Sequence, residues 1–277
     1  MKKRVLVLTA LLLMISCFCL AEEASPMRAM TEVYDYGLLC EDIQTLAEMF
    51  PEALTVEKLG QSVEDRPIYA LTLGHGDIYV LVMAGVHANE IANPAMAMQA
   101  ICDVVQGAKQ GDEDMRELLE GYTLVVTPCV NPDGYEKCVG LRKRGVAAKA
   151  KGNANKVNLN RNFPSPYWGS KRTVGNYDYP GPSAGSEPET QAMVPLMERW
   201  PYQAALDMHS QGRLVYYGKG GFLQEDVQSP LPVAALDARG ETLARAICPR
   251  KYHVEWQSPE SKKTKYGSTT DYLFALG

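Results

Sequence analysis

Residues 77–94, DIYVLVMAGVHANEIANP, carry the reading of this chain. Ile78 to Met83 are apolar without alternation, as in a central strand whose sheet is covered on both faces. A helix is expected over NPAMAMQAICDVVQ, residues 93–106, with Pro94 near its first turn, where a missing N–H costs nothing. Between strand and helix stand His87 and Glu90, three apart, in a chain with four histidines. Ligands of open α/β sheets gather at the carboxyl ends of strands, so chemistry is expected in this loop.

Working outward, LTVEKLGQSVEDRPIYALTLG (54–74) reads as two strands around a polar turn. GYTLVVTPCV (121–130) is a second buried strand closed by the turn NPDG, YQAALDMHS (202–210) a third, and GRLVYYG (212–218) a fourth. Helical spacing at Leu38, Ile43, Leu46 and Met49 ends at Pro51. SEPETQAMVPLMERW (186–200) opens as a helix with Ser186 and Glu189 as a capping box, and PVAALDARGETLARAI (232–247) is another helix. Strands alternating with helices predict an α/β protein: a three-layer α/β/α sandwich with a mixed, mostly parallel sheet.

The first 21 residues stand outside that pattern. A basic start (Lys2, Lys3, Arg4), an apolar run from Val5 to Leu20 and the small-residue exit at Ala21 are the features of a secretory signal peptide. The expected protein is therefore secreted, periplasmic or in the cell envelope, with no membrane span once residues 1–21 are removed. Residues 22–277 form one domain, expected to be a monomer. The net charge is −5, and losing the signal makes it about −8, which argues against a nucleic-acid partner. Beyond the signal the cysteines are Cys40, Cys102, Cys129, Cys138 and Cys248. An odd number leaves at least one unpaired, and small core residues are the expected role. His75 and His253 read as surface or structural histidines.

His87 follows its predicted buried strand by three residues and His209 follows another by one, so both imidazoles and Glu90 can meet at one sheet edge. Two histidines and a carboxylate are the donor set of a catalytic zinc site that keeps one position for water. KVNLNRNFP, residues 156–164, adds a second element. Arg161 there can grip a carboxylate through two hydrogen bonds, with Asn160 supplying a third contact, while Leu159 and Phe163 anchor the loop.

The ordered motifs GVHANE (85–90), VNPDG (130–134), VNLNRNF (157–163), GPSAGSEPET (181–190) and DMHSQG (207–212) resemble the M14 zinc carboxypeptidases. Within them the chain is most similar to the bacterial branch that cuts γ-D-glutamyl–diaminopimelate bonds in wall peptides. The resemblance implies one Zn2+ held by His87, Glu90 and His209. It implies that Asn160 and Arg161 hold the free carboxylate of a peptide substrate, possibly a peptidoglycan peptide. It also implies hydrolysis by a water that zinc activates.

Three departures from the family accompany the match. Asn158 stands where the family has an aspartate that orients the first histidine ligand, and asparagine accepts that bond without charge. The oxyanion-stabilising cation is Arg142 by its LRKR context or Lys151 by its distance from VNLNRN. The family's general-base glutamate follows an Asp-aromatic pair by about a dozen residues or more. That pair here is Asp271-Tyr272, and the given chain stops at Gly277. The expectation is therefore a C-terminally incomplete zinc peptidase domain, lacking its last strand and helix. The alternative is a non-catalytic module that binds zinc and carboxylates.

Overall fold

Alternate residues of the central strands face opposite sides of one sheet, and helices cover both sides. The computed structural model describes residues 34–165, 168, 172–210, 214–217, 242, 253–256, 268–269 and 272–273. Five strands are β1 (Leu54–Gln61), β2 (Pro67–Leu73), β3 (Ile78–Met83), β4 (Tyr122–Thr127) and β5 (Ala204–Asp207). They lie in the order β1-β2-β4-β3-β5. The β4-β3-β5 pairs are parallel and the β1-β2-β4 pairs antiparallel, so the sheet is mixed.

Leu71, Leu73, Val80, Val82, Leu124 and Val126 project to one face. There they meet α1 (Tyr36–Met49), α2 (Ala92–Gln110) and α3 (Glu113–Gly121) through Leu39, Ile43, Met98, Ile101 and Leu118. Ile68, Ala70, Leu81, Met83 and Val125 project to the other face. They are covered by Met193, Leu196 and Met197 of a later helix, Pro188–Arg199, and by Leu159 and Phe163. Burying each large side chain contributes roughly 1.5–3 kcal/mol. Helix propensities differ by under about 1 kcal/mol per residue, so burial decides the layers.

Local chemistry sets the ends of the elements and revises several expectations. Asp35 caps α1 by accepting from the Leu38 amide at 2.9 Å. Its buried face runs through Tyr36, Leu39, Ile43 and Leu46, so Leu38 sits at the margin and Met49 is exposed. Helix α3 had no counterpart in the sequence reading: Asp112 caps it, and Met115, Leu118 and Leu119 turn inward. NPDG is not a closing turn but the start of α4 (Pro132–Lys143), because Asn131 Oδ1 accepts from the Gly134 amide at 3.0 Å. An asparagine cap followed by proline opens a helix as readily as it makes a turn.

The Ser186–Glu189 capping box does not form. The cap of α5 (Pro188–Arg199) is Glu187, and Ser186 Oγ donates to Glu187 Oε1 at 2.7 Å. Glu189 turns inward instead, accepting from Asn153 Nδ2 at 2.9 Å and from the Val63 amide at 3.4 Å. The expected fourth strand, β6 (Leu214–Tyr217), leaves the main sheet and pairs in parallel with β7 (His253–Trp256).

Cys40, Cys102, Cys129 and Cys138 are free thiols. No helix among the described residues is long and apolar enough to cross a membrane. The signal peptide expected at 1–21, the helix expected at 232–247 and Cys248 lie outside the described residues.

Candidate metal centre

Strand β3 ends at Met83, and the backbone beyond it is pinned on several sides. Ala84 N donates to Thr127 O at 2.9 Å, Val130 N to Ala84 O at 3.0 Å, and Asn131 N to Gly85 O at 3.1 Å. Gly85 takes φ 67°, and a Cβ there would lie 3.1 Å from Pro94 Cγ and 3.3 Å from Cys129 Cα. This bend turns the chain so that His87 and Glu90 point inward, each 5% exposed.

The second strand arrives in register. Met83 pairs with Asp207, and Met208 N donates to Met83 O at 2.8 Å. Asn93, in the first turn of α2, clamps the two segments by donating to Met208 O at 2.9 Å and Glu90 Oε2 at 3.2 Å. His209 is thereby set beside His87, with ring centroids 4.6 Å apart.

The carboxylate of Glu90 bridges the two rings. Oε1 lies 2.9 Å from His87 Nδ1 and Oε2 lies 3.0 Å from His209 Nδ1, while the Ser210 amide donates to Oε2 at 3.1 Å. Burial pushes the Glu90 pKa up, but the hydrogen bonds from His209 and His87 win and bring it to about 2. Burial lowers the His87 pKa against the pull of Glu90. For His209 burial is outweighed by Asp207 and Glu90, which raise its pKa to about 10.

The residues fit a zinc ion. One ligand atom from each of His87, Glu90 and His209 lies within 4.8 Å of the others. Zinc–ligand bonds of about 2.0–2.2 Å require such spacing. Both imidazoles turn Nδ1 toward the carboxylate, a contact that needs a proton on each nitrogen. A cation in their place would satisfy the same three groups.

Around this centre the structure places the other expected residues unevenly. Arg161 is buried and engaged: Nη1 donates to Asn160 O, and Nη2 lies 3.4 Å from Asp178 Oδ1. Asn160 does not face outward. Its Nδ2 lies 3.2 Å from His209 Nε2, and its Oδ1 accepts from the Thr269 amide at 3.0 Å.

Asn158 makes no hydrogen bond to His87, whose Nε2 is buried without a partner. Its own bonds go to the Asn160 amide at 3.1 Å and to Asp178 Oδ1 at 3.2 Å. Arg142 is exposed on the last turn of α4. Lys151 stands nearer the centre, since its charge helps lower the His87 pKa and its Nζ lies 4.7 Å over the Tyr177 ring.

Four residues of the site were missed in the sequence: Asn93, Asp207, Asp178 and Thr269. Asp207 had a signal, since it stands two residues before His209 at the end of the same strand. Asp178 and Thr269 lie in stretches without periodicity.

This geometry agrees with the comparisons. The zinc carboxypeptidase family model of M14 peptidases matches residues 39–273. Gamma-D-glutamyl-L-diamino acid endopeptidase 1 of Lysinibacillus sphaericus is 28% identical over 208 residues, covering 67% of this chain and 52% of that protein. Mast cell carboxypeptidase A of Rattus norvegicus is 26% identical over 279 residues, covering 94% of this chain and 65% of that protein. The chain thus spans from about half to under two thirds of these relatives' length.

The carboxypeptidase A structure from Helicoverpa armigera superposes with a TM-score of 0.72 at 25% identity, over 98% of this chain and 68% of that one. Residues 39–273 include both sheet faces, the Glu90 bridge and the Asn160-Arg161 pair. On that match, the chain belongs to the zinc carboxypeptidase family of M14 peptidases.

Proposed function

We propose that this chain is the zinc-binding part of an exported metallopeptidase that hydrolyses a peptide bond near a free carboxylate, with cell-wall peptides as the substrate class. The observation that carries the reading is the Glu90 carboxylate bridging the Nδ1 atoms of His87 and His209. The wall-peptide class is supported by the likeness to the gamma-D-glutamyl-L-diamino acid endopeptidase of L. sphaericus. Export is supported by the pattern of residues 1–21, which leaves 22–277 as one peptidase domain acting as a monomer.

Zinc, when held by these three residues, polarises a scissile carbonyl and lowers the pKa of a water. The chain's own residues do the rest. Arg161 binds the substrate carboxylate, which must take over the guanidinium that Asp178 now faces at 3.4 Å. Asn160 keeps that anchor in register with His209. Lys151, with Arg142 as the alternative, stabilises negative charge developing on the carbonyl oxygen.

The test begins with metal content. Purified protein should carry close to one zinc, and the zinc-loaded protein should bind peptides with a free C-terminal carboxylate. The chain extended with its downstream residues should cleave them. Binding that persists without cleavage in the extended chain would establish the non-catalytic binding module instead. No zinc and no carboxylate preference would remove both readings.

A further inference from the structure

The two histidines differ on the side that faces away from Glu90. His87 Nε2 is buried and has no partner. His209 Nε2 lies 3.0 Å from Asp207 Oδ2. Asp207 is a built feature rather than a passing surface acid. Its side chain is 7% exposed, it ends β5, and its pairing with Met83 sets it level with the end of β3.

Thr269 fixes the same carboxylate from the other side, donating Oγ1 to Asp207 Oδ2 at 2.5 Å. The Thr269 amide and hydroxyl also contact Asn160 Oδ1 at 3.0 and 3.3 Å. The second carboxylate oxygen, Oδ1, is buried without a partner. A buried carboxylate with an unpartnered oxygen is costly unless a nearby positive charge compensates it.

We propose that Asp207 is a positioning residue of the metal centre: it holds His209 by Nε2 so that Nδ1 faces the ion, and it supplies the second negative charge that a divalent cation requires. The inference rests on the zinc reading above and goes beyond it by assigning a role to a residue outside the ligand set. The charge balance supports it. Two neutral imidazoles and Glu90 leave a zinc ion with one uncompensated positive charge, and the Asp207 carboxylate, 7% exposed beside a His209 side chain that is 33% exposed, offsets it. The orientation supports it as well. A histidine whose far nitrogen donates to a fixed carboxylate has one tautomer and one ring direction, and losing such a partner typically costs about 10–100-fold in metal affinity. His87 has no such partner and takes its orientation from the tight backbone turn at 84–90.

The experiment measures zinc dissociation constants by chelator competition for the full chain and for Asp207→Asn. The amide keeps the shape and an acceptor for Thr269 but removes the charge. The variant should bind zinc about 10–100-fold more weakly. The metal-free variant also loses the ion pair with His209 and should melt lower, so both affinities are measured where the metal-free proteins are fully folded. Zinc affinity within twofold of the unaltered chain overturns the assignment.

A second measurement needs no variant, should Asp207→Asn fail to fold. In the zinc-loaded chain with 15N-labelled imidazoles both Nε2 atoms carry a proton, and that of His209, hydrogen-bonded to a carboxylate, should resonate further downfield than that of His87, which has no partner. Equivalent Nε2 signals from the two rings overturn the assignment. Failure of the unaltered chain to take up zinc would instead overturn the metal centre itself, so the two failures are told apart.

Discussion

His87 and His209 stand 4.6 Å apart, ring to ring, yet the protein builds their surroundings by opposite means. The His87 side is made of backbone. A glycine at positive φ, a ladder of main-chain hydrogen bonds and nearly complete burial set the path of the turn, and Glu90 from the same turn meets the ring at 2.9 Å. The His209 side is made of side chains. Its ring is one third exposed (33%) and is held by Glu90 and Asp207, with Asn160 and Thr269 behind them. The contrast teaches that two histidines of one site need not share a mechanism of rigidity. Backbone strain should govern one side and charge the other.

The largest expected effect is common to both sides. His87→Ala should reduce bound zinc from close to one per chain to close to none, as metal analysis after dialysis would show. Zinc at 1,000 times its dissociation constant stabilises a fold by about 4 kcal/mol, so the unaltered chain should gain thermal stability on loading and the variant should not. Equal gains would mean the ion sits elsewhere.

The next effect belongs to the side-chain half. Arg161→Ala should weaken binding of carboxylate-terminated peptides to the zinc-loaded protein, measured by calorimetry. Loss of a charge-assisted pair costs roughly 1.5–3 kcal/mol, or about 10- to 150-fold. Amidated peptides should be hardly affected. A uniform loss on both would make Arg161 a structural residue.

Smaller still is the backbone test. Gly85→Ala forces a side chain into φ 67°, with contacts at 3.1–3.3 Å. It should destabilise the protein by roughly 1–3 kcal/mol in urea unfolding. Zinc affinity should fall with it, because the bend at Gly85 sets where the His87–Glu90 pair begins. An unchanged zinc affinity would show that this half is not governed by its backbone.

The most gradual signal comes from the anchor of the 153–162 loop, where Asn153 donates to both Glu187 and Glu189 at 2.8 and 2.9 Å. Burial lifts the Glu189 pKa from its ordinary 4.5 to about 7, against the hydrogen bonds of Asn153 and Val63. Between those two values the folded protein keeps a proton that the unfolded chain has released. Stability should therefore fall as pH rises from about 4.5 to 7, by at most about 1.4 kcal/mol per pH unit, and level off above. Glu189→Gln, which resembles the protonated acid, should flatten that slope. A slope that survives the substitution would assign it to other groups.

Much of the backbone-built half was legible in the sequence, and much of the other half was not. The run from Ile78 to Met83 announced a strand buried on both faces because each of its residues meets an apolar layer. His87 and Glu90 were visible because their partners lie three residues apart. Asp207 was overlooked although it opens the DMHSQG motif two residues before His209, because its meaning depends on Thr269, 62 residues away. The capping box failed for the same kind of reason: Glu189 has a partner 36 residues upstream, and that contact outcompetes the local one. Helix α3 escaped notice because nine residues with three inward side chains give little periodicity to read. Local pattern reports contacts within a few residues, and the His209 side is held by contacts across many.

The link from Thr269 to Asp207 and Asn160 also orders events in time. These contacts span 62 and 109 residues of chain. A ribosome adds about 5–20 residues each second, so residue 269 emerges roughly 3–12 s after residue 207. Strands β1 to β4 and the His87 turn are complete well before then and can collapse early, since their pairings are short-range by comparison. The His209 side must wait. During that interval the nascent chain has one finished half of a metal pocket and one unsecured half, so a pause or a cleavage between 207 and 269 would leave the second histidine without its support.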